Sequence, residues 1–439
     1  MNTIFALICT LSLLVGGTGL VPVHAAAQSA RVDREVRTLM AHPSVGAALA
    51  RIEATDDRTM RDLRHLTQIP APPFMEEARG RAFAELLREA GADSVWVDEV
   101  GNVIGLRRGS GRGDVLALAG HLDTVFPPET DVTVRERGDT LFAPGISDDS
   151  RGLAAVLAVL RAMNDVDLRT QGDILFIGNV GEEGLGDLRG MKNLFREGGP
   201  RIDAFVSVDG AGSTAITHMG LGSHRYRVTF EGPGGHSWGA FGLANPAHAL
   251  GRAIRYFEDE ADPYTRSAPS RTSYNVGRIG GGTSVNAIPF EAWMEIDMRS
   301  EGTRTLDEID ALLHTAVRRA LDEENGIRRD GPPLTVRVEM IGDRPSGELP
   351  EEHAYVERAA AVTRALGLRP TFRRSSTDSN IPISLGIPAI TIGGGGQSSG
   401  AHSPDEWFRN DGGYVGVQRI LLIAVAQSGV SDSSPTAGC

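Results

Sequence analysis

The stretch DVLALAGHLDTVFP, residues 114–127, decides how the chain is read. Its first half is a short, unbroken apolar run with no polar alternation, the pattern of a strand covered on both faces. The run ends at Gly120, and His121 and Asp123 follow at once. A polar His-x-Asp placed where a buried strand stops is where open parallel sheets gather their ligands.

Working outward, the same pattern recurs. DILFIGNV (173–180) is a second buried strand that stops before Gly181, Glu182 and Glu183, and AFVSVDG (204–210) is a third that stops at Asp209. Between them SRGLAAVLAVLRAM (150–163) has helical spacing, with Ser150 placed to cap it, and MEEARGRAFAELLREAG (75–91) is a helix stopped by Gly91. Strands alternating with helices predict an α/β fold with a mostly parallel sheet and flanking helices. From about Met219 the texture changes: SHRYRVTFEG alternates, NPAHALGRAIRYFED is a helix opened by Pro246, and TSYNVGRIG and FEAWMEIDMRS are strands. The helix TLDEIDALLHTAVRRALDEE and the strand PLTVRVEMIG complete a β-α-β-β-α-β order, which is ferredoxin-like. The α/β pattern then resumes, so the small unit is inserted into the larger one. The expected divisions are a signal segment (1–25), a catalytic domain in two parts (30–216 and 344–430), an inserted lid or dimerisation domain (217–343) and a flexible tail (431–439).

With 439 residues, 41% hydrophobic and 23% charged, the chain can bury a sizeable core. A net charge of -13 without a compensating basic run argues against a nucleic-acid partner. The first 25 residues carry no charged side chain; an apolar run from Ile4 to Val15 precedes a small-residue site at Val23-His24-Ala25. That reads as a cleaved secretory signal, with an uncleaved anchor as the alternative, although no Lys or Arg precedes the run. The expected location is secreted or periplasmic, with no membrane span in the mature chain. Cys9 leaves with the signal and Cys439 ends the tail, so neither an intramolecular disulfide nor cysteine catalysis is expected.

Strand ends and the loops beyond them thus collect His121, Asp123, Asp148, Asp149, Glu182, Glu183, Asp209 and, in GAHSPDEW, His402. So many carboxylates repel one another unless cations neutralise them. Two imidazoles and several carboxylates, with no thiolate, suit zinc or a similar divalent ion, and a carboxylate can bridge two ions. Glu182, beside the candidate ligand Glu183, is placed to take a proton from water.

GHLDTVFP, GEEG, GGTSVNAIPFEAWMEIDMRS and HSPDEW, in this order, resemble the dinuclear zinc peptidases and deacylases. That family includes carboxypeptidase G, peptidase T, carnosinase-like dipeptidases, aminoacylase and succinyl-diaminopimelate desuccinylase. The resemblance runs from Leu66 to the motif at His402. It implies two Zn²⁺ per subunit, with Co or Mn as possible substitutes: His121 and Asp209 on one, Glu183 and His402 on the other, Asp148 between them. It further implies that Asp123 orients His121, that Glu182 is general base and acid, and that the Asp148–Asp149 peptide is cis. His236 would reach the partner subunit's site in a homodimer formed through the inserted domain. Asn286 and Arg299 would contact a small peptide or N-acyl amino acid substrate, although Arg299 taken alone reads as a strand residue paired with Asp297. His248 reads as a packed helix residue. The chain departs from the family in carrying Arg151 after the Asp pair, which leaves Asp148 or Asp149 as the bridge, and Gly181 before the Glu pair. An Asp at position 209 tends to mark peptidases and a Glu deacylases, so a metal-dependent exopeptidase is the expected activity, with an N-acyl amino acid deacylase as the alternative.

Two other readings compete. Gly235-His236-Ser237-Trp238-Gly239 fits the G-x-S-x-G nucleophile elbow, and Asp378 and His402 follow in α/β-hydrolase order. That reading needs Ser237 between a buried parallel strand and a helix, whereas RYRVTF alternates and the helix starts only near Pro246. The second is a non-catalytic binding homologue, whose mark would be a missing ligand or base; none is missing.

Overall fold

The computed structural model describes residues 21–431. The apolar run at 4–15, Cys9 and all of the tail beyond Ser431 lie outside the described residues. Among those described, no helix is long and apolar enough to cross a membrane.

The large sheet is parallel at its centre. Strand Leu116–His121 lies between Ile174–Asn179 and Ala204–Val208, and Ala389–Ile392 continues on the far side, all parallel. Antiparallel pairs finish both margins, with Val103–Arg107 and Ser94–Val97 on one side and Ala215–Gly220 on the other. Alternate residues of the central strands enter different cores. Leu116, Leu118, Phe176 and Val206 pack with the helices Ser150–Asp165 and Gly413–Ser428, while Ala117, Ala119, Ile177 and Phe205 pack with Met191 and Leu194. Two covered faces explain the unbroken apolar runs. Because these strands are in parallel register, with His121 opposite Asn179, their polar sequels emerge along one edge.

The inserted unit has the expected β-α-β-β-α-β order. Its four long strands form an antiparallel sheet in the order Thr272–Gly281, Glu291–Ser300, Gly222–Glu231, Thr335–Arg344. Helices Pro246–Ser267 and Thr303–Ile327 cover one face, burying Val228, Phe230, Met294, Phe257 and Leu313. The opposite face alternates charged side chains. Both helices run further than their sequence patterns suggest.

Two details correct the sequence reading. Asp149, not Ser150, caps its helix, accepting the Gly152 N–H at 2.9 Å. His248 lies on the exposed side of its helix rather than packed. His402 sits at the turn of a hairpin, Gln397–Ser399 with Trp407–Arg409, and that hairpin pairs with Thr140–Phe142 just upstream of Asp148. Chain segments far apart in sequence are thereby brought to one edge.

Candidate metal centre

His121 ends the central strand and is almost wholly buried. Its Nδ1–H donates to the Asp123 carbonyl at 3.0 Å, leaving Nε2 facing Asp148 Oδ1 at 3.0 Å. The other Asp148 oxygen lies 3.1 Å from His402 Nε2, which in turn lies 3.0 Å from Glu183 Oε1. One donor atom from each of His121, Asp148 and Glu183 falls within 4.8 Å of the others. Asp148 thus offers one oxygen to each imidazole.

Charge in the cluster is balanced by proximity. Burial alone would depress the His121 imidazole, but hydrogen bonds with Asp123 and Asp148 carry it well above the ordinary histidine range. His402, held by Asp148 and Glu183, is pushed up to about 10. Burial raises Asp209 to about 7, with the charge of Asp148 adding to the effect. Burial opposes ionisation of Asp148 too, yet its two imidazoles hold it below the usual carboxylate range. Imidazole nitrogens and carboxylate oxygens converging in this way are a donor set that fits zinc.

Beneath the cluster lie three buried carboxylates that accept backbone N–H groups. Asp123 takes those of Glu182 at 3.0 Å and Glu183 at 2.7 Å, so its carboxylate fixes the Glu pair, while its backbone carbonyl orients His121. Asp149 takes those of His121 at 3.0 Å, Gly152 at 2.9 Å and Gly210 at 3.1 Å, tying two strand ends to a helix start. Its carboxylate is thereby engaged, leaving Asp148 to face the imidazoles, and the peptide between the two is cis. Glu406 takes those of Gly145, Ser147 and Asp148 at 2.7, 2.8 and 3.0 Å. Glu406 stood within GAHSPDEW, but nothing in that motif marked it.

Glu182 stays out of the cluster and turns to Arg344, whose Nη1 donates to its Oε1 at 3.2 Å and whose Nη2 donates to its backbone carbonyl. Burial raises the Glu182 carboxyl well above its ordinary value, partly offset by Arg344 and reinforced by Glu183 and Asp378. Arg344 had no sequence signal. Gly181 has φ 70°, and a side chain there would meet Arg189, which pairs with Glu76 at 2.7 Å. Arg151 is buried, donating to the carbonyls of Gly394 and Gly413, and takes no part in the cluster.

A cavity of about 390 Å³ opens on this edge, lined by Asp148, Glu182, Glu183, Asp209, Arg299 and His402 among others. Arg299 pairs with Asp297, its Nε donating at 2.7 Å, and its side chain also lines the cavity. His236 and Asn286 lie elsewhere, together in a separate cavity of about 490 Å³ on the inserted unit. Phe290 lines the same cavity, and Trp238, Phe241 and Val285, near them in sequence, are exposed as well. The serine-hydrolase arrangement is absent among the described residues: Ser237 follows a two-residue strand, Asp378 accepts from Asn179, and His402 holds Asp148 and Glu183.

The model of peptidase family M20/M25/M40 matches residues 117–425. The succinyl-diaminopimelate desuccinylase of Corynebacterium glutamicum is 26% identical over 349 residues, covering 78% of this chain and 89% of the relative. Among solved structures, the aminopeptidase PepT of Bacillus cereus superposes with a TM-score of 0.66 at 20% identity, covering 84% of this chain and 97% of its own. The di-peptidase Dug1p of Saccharomyces cerevisiae does so with a TM-score of 0.69 at 16% identity, covering 89% and 99%. With the donor cluster, the fold and the matched span in agreement, the chain belongs to peptidase family M20/M25/M40 and is a metal-dependent hydrolase.

Proposed function

We propose that this hydrolase is an exopeptidase acting on small peptides with two divalent ions, zinc by donor chemistry. The observation that carries the reading is Asp148 lying between two imidazoles, with Glu182 close by and held separately by Arg344. His121 and Asp209 would hold one ion, Glu183 and His402 the other, and Asp148 both. When bound, such ions polarise a carbonyl and make water acidic enough to attack at neutral pH.

The protein's own groups do the rest. Glu182 takes the proton of the attacking water and returns it to the leaving amine, as a carboxylate beside the donor cluster but outside it can do. Arg299, with Nε held by Asp297, turns the remainder of its guanidinium towards a substrate carboxylate. Asp at position 209 favours a peptidase. A deacylase of N-acyl amino acids is the second reading, favoured by relatives such as the desuccinylase. Hydrolysis of a dipeptide, tripeptide and N-acyl amino acid panel, with zinc and then cobalt or manganese, decides between them. Activity that survives exhaustive chelation would remove the metal mechanism altogether.

His236 and Asn286 would serve the neighbouring subunit's site in a homodimer. The exposed aromatic and aliphatic side chains near them support this, since such patches mark association surfaces. His236→Ala and Glu182→Gln, each inactive alone, are expected to regain about a quarter of wild-type activity when co-expressed, because half the dimers then hold one complete site. No recovery from two inactive variants would mean that His236 does not act in the neighbouring subunit's site. The charge-free apolar leader supports a secreted or periplasmic setting.

A further inference from the structure

Two strands of the inserted sheet grip the loop that carries the Glu pair. Arg225 Nη1 donates to the Gly184 carbonyl at 2.7 Å, the Asp343 N–H donates to Asp187 Oδ1 at 2.8 Å, and Arg344 holds Glu182. Positions 182, 184 and 187 are therefore each fastened to the inserted unit.

Arg225 is built to reach. It stands on the uncovered face of Gly222–Glu231, alternating with the buried Tyr226 and Val228. Opposite it on one neighbouring strand is Gly342, just past a break in register, where a Cβ would lie 3.1 Å from Arg225 Cδ. The missing side chain leaves room for the arginine stem. On the other neighbouring strand is Asp297, whose Oδ1 accepts from Arg225 Nε at 2.8 Å and whose Oδ2 accepts from Arg299 Nε at 2.7 Å. Arg225 also forms a common wall, with Gly184, between the metal-site cavity and a smaller one of about 310 Å³ lined by Leu185 and Ile341.

We propose that Arg225 is a positioning residue that sets the loop bearing Glu182 and Glu183 and, through Asp297, joins it to the carboxylate-binding Arg299. The proposal rests on the reading of Glu182 as base and Glu183 as ligand. Gly184 directly follows Glu183, so holding its carbonyl anchors the loop one residue beyond the ligand and limits where the Glu183 Cα can lie. Asp297 cannot turn towards one arginine without loosening the other. A substrate carboxylate drawn to Arg299 is thus linked by two ion pairs to the loop that performs the chemistry.

The test uses Co²⁺ as the bound ion, because its visible absorption reports the ligand field without any substrate. Arg225→Met, Arg225→Lys and a control, Arg227→Met, are compared with wild type for cobalt absorption, and for kcat and KM on whichever panel substrate turns over. Arg227 shares the face but pairs with Glu295 and stacks on Trp293, away from the loop. Arg225→Met is expected to alter the cobalt spectrum and to lower kcat about 10- to 100-fold, the usual range for a group that holds a ligand in place. Arg225→Lys, which keeps a donor, should recover much of both; Arg227→Met should change neither. An unaltered spectrum with unaltered kcat in Arg225→Met overturns the proposal, even if the melting temperature falls. Should no panel substrate react, the functional reading fails on its own and the cobalt spectrum still decides the role of Arg225.

Discussion

Replacing Glu182 by Gln is expected to lower kcat by about 10²- to 10⁴-fold while metal content and melting temperature stay near wild type. The substitution keeps the length of the side chain and an oxygen for Arg344 Nη1, which lies 3.2 Å away in the native protein. It leaves untouched the backbone bond from Glu182 N–H to Asp123 that shapes the turn. What disappears is a group able to take up a proton. Because Glu182 lies outside the donor cluster formed by His121, Asp148 and Glu183, ion binding should survive. Metal analysis beside steady-state kinetics checks both halves of the expectation. Turnover near the wild-type rate would falsify the assignment of the base; loss of metal together with activity would make Glu182 a ligand.

Asp149→Ala is expected to have the largest effect on stability, about 3–9 kcal/mol. The side chain is fully buried and accepts three backbone N–H groups, from His121, Gly152 and Gly210. Alanine would leave all three without a partner in a dry interior, at about 1–3 kcal/mol each, the lost bond to Gly152 being also the helix cap. Against a typical stability of about 5–15 kcal/mol, such a loss is a large fraction of the total. Urea unfolding of the metal-free protein measures it directly, without the contribution of bound ions. A change below about 1 kcal/mol would mean that water replaces the carboxylate, and the three N–H groups would then not depend on it.

Much of this was legible in the chain. Continuous apolar runs reported strands covered on both faces, and alternation reported the half-covered sheet of the inserted unit, because burial acts on the nearest side chains and leaves a local period. The polar residues just past those runs were visible for the same reason. Other parts were illegible. Glu406 reaches back 261 residues to Gly145, and Arg344 reaches 162 residues to Glu182. No local pattern encodes such partners, so an acid within a motif and an arginine at a strand end looked ordinary. His248 looked packed because its helix is amphipathic, but its own position falls on the exposed side.

The amino-acid order by itself determined the two-unit α/β architecture and the supply of imidazoles and carboxylates to one edge of the sheet. Only the tertiary structure decided which carboxylate does what. Asp148 and Asp149 are adjacent and chemically identical, yet one turns to two imidazoles and the other to three amide groups. Glu182 and Glu183 divide in the same way between Arg344 and His402. The role of a carboxylate depends on which donors surround it once water is excluded, and those donors arrive from distant segments only when the sheet, the hairpin and the inserted unit have come together.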